Sequence, residues 1–272
     1  MSSIPFVKAH ACGNDFLILE ESVAQGRHAQ LARTLCARHT GIGADGIEFL
    51  ERRADGTFFL RLFNADGSEA ELSGNGTRCV VAWLTESEGL QEVSLGTHGG
   101  MRKCRVMRKE RETLWWIESG MGVPRVMPRT IEIAGVNGAI EGVMVNMGNP
   151  HFVIFTELED FGSHGMSWQE LGAKIAVDPV FKFGTNVEFV RVLKADEIAF
   201  RIYERGCGPT TSSGTGTCAA SAAGMTQRGA ARSLTAVAEG GSQQVVWPEN
   251  AAEMMLTGPA EIICIGDARV DF

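Results

Sequence analysis

Two short stretches carry residue types that can do chemistry. Ser73-Gly74-Asn75-Gly76-Thr77 and Ser213-Gly214-Thr215-Gly216-Thr217 are near copies, well separated in a chain of 272 residues. Each follows an alternating run that reads as a strand, Thr57 to Phe63 and Glu197 to Glu204. A turn lies between, Asn64-Ala65-Asp66-Gly67-Ser68 in one case and Arg205-Gly206-Cys207-Gly208-Pro209 in the other. Each opens a helical run, through Val80, Val81, Trp83 and Leu84 or along the Ala-rich segment Ala219 to Arg228. Serine is a favourable N-cap. Glycines just inside a helix start leave backbone N–H groups uncovered, and such groups attract anions. A small carboxylate or phosphate would suit either start. Taken singly, these are Gly loops in a chain that has 33 glycines. As a matched pair they point to a duplicated domain with two helix ends facing one ligand.

Other polar residues interrupt apolar runs. Asn14 and Asp15 lie in the loop His10-Ala11-Cys12-Gly13-Asn14-Asp15, and either closes a turn or presents an amide and a carboxylate to a pocket. Gly148-Asn149-Pro150-His151 separates two buried strand patterns, Val143 to Val145 and Phe152 to Phe155. A histidine beside an apolar run is ordinarily structural; it gains interest if it faces the Ser213 helix end. Gly41-Ile42-Gly43-Ala44-Asp45-Gly46 is formally G-x-G-x-x-G. A dinucleotide site needs a strand before it and a helix after it. Here a helical pattern, His28 to Arg38, precedes and a strand pattern, Ile47 to Leu50, follows, so the segment reads as a loop.

The elements that must position these groups are many short strands and few helices. Ile4 to Lys8, Phe16 to Leu19, Val93 to His98, Met101 to Met107, Thr113 to Glu118, Arg129 to Ala134 and Ala139 to Val145 read as strands. Trp168 to Ile175 reads as a helix, and Gly184-Thr185-Asn186 turns into a strand through Val190. Strand-like pieces close the chain: Val245 to Trp247, Ala252 to Leu256 and Ala260 to Ile265. Two prolines and a glycine between Met121 and Pro128 mark a domain boundary.

Length allows one large domain or two ordinary ones. A hydrophobic share of 44% supports proper cores, and a net charge of −8 argues against a nucleic-acid partner. No apolar run is long enough for a membrane span, and Met1 to Asn14 has no signal-peptide pattern, so a cytoplasmic protein is expected. Seven cysteines do not suggest a disulfide framework in a chain this long; Cys36, Cys104 and Cys264 read as buried small apolar residues. No C-x-x-C or H-x-x-x-H pattern exists, and no metal is expected. Trp115, Trp116 and Trp247 read as packing residues.

The chain resembles the diaminopimelate epimerase family along its length. The resemblance rests on Lys8 to Phe16, Gly41 to Gly46, Asn64 to Ala70, Ser73 to Cys79, Gly148 to His151, Gly184 to Asn186 and Glu204 to Gly206 with Ser213 to Gly216. It implies an α/β (α+β) fold of two pseudo-symmetric domains, each a β-barrel-like sheet wrapped around a central helix. The expected division is 1–124 plus 264–272 and 125–263, with the site in the cleft. It implies a cofactor-independent isomerase interconverting L,L- and meso-diaminopimelate by two-base proton transfer at Cα, serving lysine and peptidoglycan precursors. The substrate contacts carry over to Asn14, Asn64, Asn149, Asn186, Glu204 and Arg205. Backbone amides at Gly74, Asn75, Gly214 and Thr215 would hold the reacting α-carboxylate, where helix dipoles stabilise developing charge without a cofactor. Arg205 would fork onto the distal carboxylate. Some members carry a glutamine where Gly46 stands, a contact this chain lacks. The family commonly pairs, so a homodimer is expected; no nucleic acid or membrane partner is.

The catalytic positions depart from the family. Two cysteines there precede Gly-Asn-Gly and Gly-Thr-Gly; this chain has Ser73 and Ser213. A thiol of reference pKa about 8.5, lowered at a helix start, alternates between base and acid near neutrality. A serine hydroxyl does so only with an added base. Cys79 and Cys218 lie too far into the helices to substitute. Three readings stay open: a deliberately inactivated form that holds substrate, a non-catalytic amino-acid-binding relative, or a different isomerase on the same fold that uses His151 and Glu204.

Overall fold

The computed structural model describes residues 2–270. The chain divides into two compact units, one running to Ser119 and resuming at Thr257, the other spanning Gly120–Leu256.

The first unit contains β1 (Ser2–Ala11), β2 (Asn14–Glu20), α1 (His28–Leu35), β3 (Gly46–Arg52), β4 (Phe58–Asn64), β5 (Glu69–Ala70), α2 (Gly74–Glu88), β6 (Glu92–Thr97), β7 (Gly100–Arg111) and β8 (Leu114–Gly120). Antiparallel pairs β1–β2, β3–β4, β6–β7 and β7–β8 alternate with parallel pairs β2–β3 and β4–β6. The strand β17 (Met255–Val270) pairs with both β1 and β8, so the hydrogen bonding runs round a closed ring of eight strands. Closure leaves no open edge on the ring. Its interior is filled by α2. Cys79, Val80, Val81 and Leu84 pack against Val7, Phe16, Ile18, Leu62, Val93, Trp115 and Ile262. A helix apolar on nearly every side must be buried this way. The shorter α1 is amphipathic and lies outside the ring, with Leu31, Ala32 and Leu35 against Leu17, Phe49 and Phe63.

The second unit repeats the scheme. β9 (Arg125–Ile131), β10 (Ile140–Asn146), β11 (Pro150–Phe155), α3 (Trp168–Ala176), β12 (Asn186–Lys194), β13 (Glu197–Glu204), β14 (Gly208–Thr210), α4 (Gly214–Gln227), β15 (Ser233–Ala238) and β16 (Gly241–Val246) follow in order. β11–β12 and β13–β15 are parallel; β9–β10, β10–β11, β12–β13 and β15–β16 are antiparallel. Small residues of α4, Ala219, Ala220, Ala222 and Ala223, sit inside a shell of Val143, Val190, Phe200, Leu234 and Trp247. α3 lies outside, started by a complete Ser167–Glu170 capping box. Among the described residues, no helix is long and apolar enough to cross a membrane.

Four details differ from the sequence reading. The loop at His10 to Asp15 is a tight hairpin turn: β1 and β2 register down to Ala11 opposite Asn14, and Cys12 (φ 52°) and Gly13 (φ 80°) make the turn. The strand expected from Arg129 begins earlier and contains Pro128, opposite Val143. The two closing pieces at Ala252 and Ala260 give way to one long strand, β17, which starts at Met255 and runs through Gly258 and Pro259. Cys264 is exposed, because it lies on a stretch of β17, Ile263 to Ile265, whose side chains are solvent-facing.

Candidate active site

Ser73 and Ser213 are N-caps in extended conformation, and each hydroxyl accepts a hydrogen bond from the amide of the glycine three residues on. Gly76 N lies 3.0 Å from Ser73 Oγ, and Gly216 N lies 3.3 Å from Ser213 Oγ. Thr77 and Thr217 donate to the Ser73 and Ser213 carbonyls, each at 2.7 Å, and lock the same turn. The expected amides of Gly74, Asn75, Gly214 and Thr215 therefore belong to first turns of matching geometry, where backbone N–H groups have no intrahelical acceptor. Both interior glycines are required by packing. A Cβ on Gly76 would overlap the Glu48 carboxyl; on Gly216 it would lie 2.5 Å from Ile202 Cδ1 and 3.1 Å from Glu188 Oε1.

In the first unit the structure joins Asn14 to Asn75. Asn75 Nδ2 donates to Asn14 Oδ1 at 3.2 Å, and Asn14 Nδ2 donates to Asp45 Oδ2 at 2.6 Å. Behind them, Arg38 bridges Asp45 (2.7 Å) and Asp15 (2.8 Å), and Lys8 pairs with Asp15 at 3.1 Å. Burial pushes the Asp15 carboxyl up, but the hydrogen bonds and charges of Arg38 and Lys8 outweigh it and hold the group below its usual value. Arg78 is fully buried in the first turns of α2; it donates to Asn75 Oδ1 and to the Gly74 carbonyl. Asn64 stands apart from this network, its amide donating to Ser68 Oγ (3.0 Å) within its own turn.

In the second unit a buried chain runs from Glu188 to the helix start. Glu188 Oε1 lies 2.6 Å from His151 Nδ1, His151 Nε2 lies 2.9 Å from Asn149 Oδ1, and Asn149 Nδ2 donates to Thr215 Oγ1 at 3.4 Å. Parallel pairing of β11 and β12 sets this up by placing His151 opposite Asn186. Asn186 Oδ1 accepts the Arg205 backbone amide at 2.9 Å, and the exposed Arg205 guanidinium donates to the Phe183 carbonyl at 2.7 Å. Glu204 Oε1 accepts from Thr210 at 2.6 Å, and its carboxyl also hydrogen-bonds the Ser213 hydroxyl. Burial raises Glu204 above the usual carboxylate range against those hydrogen bonds and the His151 charge. Burial likewise raises Glu188 in spite of its histidine.

Each half therefore presents an N-capped helix start with asparagine beside it. The second adds a histidine and two carboxyls of raised proton affinity, a combination suited to proton transfer next to a bound carboxylate. Sequence reasoning missed Glu48 and Glu188. Each sits mid-strand in a repeated frame, Gly46-Ile47-Glu48-Phe49 and Asn186-Val187-Glu188-Phe189, and precedes its helix-capping serine by the same interval. That repeat was the available signal. Cys79 and Cys218 are buried within α2 and α4.

Known proteins resemble the chain along its length. The family model described as diaminopimelate epimerase matches residues 6–127 and 143–263. Diaminopimelate epimerase of Parabacteroides distasonis is 33% identical over 271 residues, covering 98% of this chain and 99% of its own. That of Desulforudis audaxviator is 36% identical, with 96% and 98% covered. Among solved structures, a Bacillus anthracis phenazine biosynthesis protein of the PhzF family superposes with a TM-score of 0.75 at 13% identity, covering 99% of this chain and all of that one. A hydroxyproline epimerase from Agrobacterium vitis gives 0.69 at 16% identity, covering 98% and 91%. These two share the fold. With full-length matches above 30% identity and the two capped helix starts in place, the chain belongs to the diaminopimelate epimerase family.

Proposed function

We propose that this chain binds diaminopimelate and that its epimerisation is impaired at the proton-transfer step by Ser73 and Ser213. The observation that carries this is the pair of matching helix starts, each capped by a serine hydroxyl that is already engaged as acceptor from Gly76 or Gly216. The α-carboxylate is held on the amides of Gly74, Asn75, Gly214 and Thr215, by the attraction of a helix start for anions. Asn14, Asn64, Asn149, Asn186 and Arg205 grip the rest of the amino acid. Ser73, Ser213, His151 and Glu204 are the groups proposed to handle the α-proton. A hydroxyl is too weak an acid to replace a thiol as both donor and acceptor of the α-proton. The reading extends to a cytoplasmic, cofactor-independent homodimer serving lysine and peptidoglycan precursors.

Thermal unfolding with millimolar L,L-diaminopimelate tests binding; no rise in Tm rejects it. Incubation with substrate in deuterated water tests chemistry. Slow or absent label at Cα, becoming rapid in the Ser73→Cys/Ser213→Cys variant, is expected. Rapid exchange by the unchanged chain favours a second reading, in which Glu204 acts as base through the Ser213 hydroxyl. That reading is motivated by the hydrogen bond between them and by the raised proton affinity of Glu204. Loss of exchange in Glu204→Gln, with Ser73→Ala unaffected, would then identify the route.

A further inference from the structure

Glu48 is 1% exposed, and its carboxyl is pressed against the first turn of α2 at Gly76. Its register neighbours are Ile18 of β2 and Leu62 of β4, neither of which titrates. From α2, the groups facing it are Gly76 and the buried thiol of Cys79, which senses the Glu48 charge. Arg78, beside that thiol, directs its guanidinium to Asn75, Gly74 and Pro259 instead. Asp15 is occupied by Arg38 and Lys8. Glu48 Oε1 has no hydrogen-bond partner, and among the described residues no ion pair reaches this carboxyl.

The second unit shows what is missing. Glu188 occupies the matching place against Gly216, and it has His151 at 2.6 Å. His151 pairs with Asn186 across β11 and β12; in the first unit the corresponding partner of Gly46 is Phe16. A phenyl ring stands where the other half has an imidazole. One half-site thus holds a carboxyl with a partner that can take a positive charge. The other holds a carboxyl with nothing to neutralise it.

We infer that Glu48 is a pH gate on the first half-site: as a neutral acid it leaves the α2 start able to hold a carboxylate, and as a carboxylate it repels one. The inference rests on the reading that this helix start receives the substrate carboxylate. Glu48 acts through the field at the helix start and is a positioning residue. The helix start attracts anions through partial charges on its first amides, and a full negative charge packed beneath the same turn opposes them in a low-dielectric surrounding. The isolation of the group keeps it protonated through neutrality; burial raises its pKa to about 8. The gate therefore closes on the alkaline side.

The test is calorimetric titration of L,L-diaminopimelate into the wild type and Glu48→Gln between pH 6 and 9.5. Groups that titrate on the ligand or elsewhere affect both proteins and cancel in the ratio of Kd values. The ratio should be constant below pH 7 and reach about tenfold at pH 9, since only the neutral fraction binds. A ratio that stays flat overturns the gate. A companion measurement needs neither ligand nor variant: carboxyl NMR of the 13C-glutamate-labelled wild type. The assigned Glu48 carboxyl titrating near pH 8, told apart from the raised Glu188 and Glu204, supports the gate, and its titration in the ordinary carboxylate range overturns it even if the variant fails to fold. Absence of binding at every pH, with that carboxyl present, rejects the proposed substrate and not the buried acid.

Discussion

Replacing Glu48 by glutamine should change the pH dependence of stability more than stability itself. The glutamine keeps the shape of the side chain and its lack of partners, so it carries a roughly constant cost for an unsatisfied buried group, about 1–3 kcal/mol. The wild-type carboxyl adds a term that varies. It has an ordinary value of 4.5 when the chain is unfolded and about 8 when folded, because burial penalises the charged form. Below the lower value both states hold the proton and the wild type loses nothing. Between the two, the unfolded chain releases the proton and the folded chain does not, so wild-type stability falls by about 1.4 kcal/mol per pH unit. Above about pH 8 both states are ionised and the loss is constant. The accumulated loss is about 3 kcal/mol at pH 7 and about 5 kcal/mol above pH 8. Urea unfolding of both proteins at pH 5, 7 and 9 reads the difference directly. The variant should gain on the wild type by about 4 kcal/mol from pH 5 to pH 9, since a little of the loss has already occurred at pH 5. A difference independent of pH would refute the assignment of Glu48 as a buried neutral acid.

Four further outcomes are expected. Ser73→Cys/Ser213→Cys should gain Cα–H exchange, measured by deuterium incorporation, while losing up to about 1 kcal/mol at each helix start by urea unfolding, since a thiol is a poorer cap acceptor. His151→Ala should destabilise the second unit by about 3–5 kcal/mol, because it leaves the fully buried Glu188 without its partner; Glu188→Gln in the same background should restore part of the loss. Asp15→Asn should remove part of the acid-limb stability. The Asp15 carboxyl titrates below its usual value when folded, so its contribution is present above the unfolded value and vanishes as pH falls through the folded one. The wild type and Asp15→Asn should then converge in Tm at low pH and differ near pH 7. Gly76→Ala should be among the least tolerated changes in α2, since its methyl collides with Glu48; thermal unfolding should show a greater loss than Gly216→Ala, where the nearest atom is the terminal methyl of Ile202 at 2.5 Å.

Where local chemistry decided the structure, the sequence was readable. Ser73 and Ser213 cap helices because serine followed by glycines suits no other role at a strand–helix junction. The loop at Gly41 to Gly46 was separable from a nucleotide site on element order alone, and β3 does follow it. What escaped was decided at long range. The joining of Asn14 to Asn75 depends on the hairpin β1–β2 lying beside the start of a helix much later in the chain. The roles of Glu48 and Glu188 depend on which way a strand residue faces once the helix enters the barrel; a glutamate between apolar neighbours reads equally as an outward-facing residue. Cys264 was misplaced because Ile263, Cys264 and Ile265 are all exposed: both faces of β17 are bare at that point, which an apolar run does not reveal.

The pairing of β17 with β1 has a consequence for how the chain reaches this state. Ser3 to His10 must wait, during synthesis, for partners that emerge only after the whole of the second unit has been made. Until then β1 and β8 have unsatisfied edges next to an apolar α2, a combination that invites wrong partners. The second unit can mature while the ribosome is still at work; the first is completed by a segment arriving late. Removing that segment would cost more than the loss of its own pairings, because it turns a closed cylinder into a curled sheet with two sticky borders.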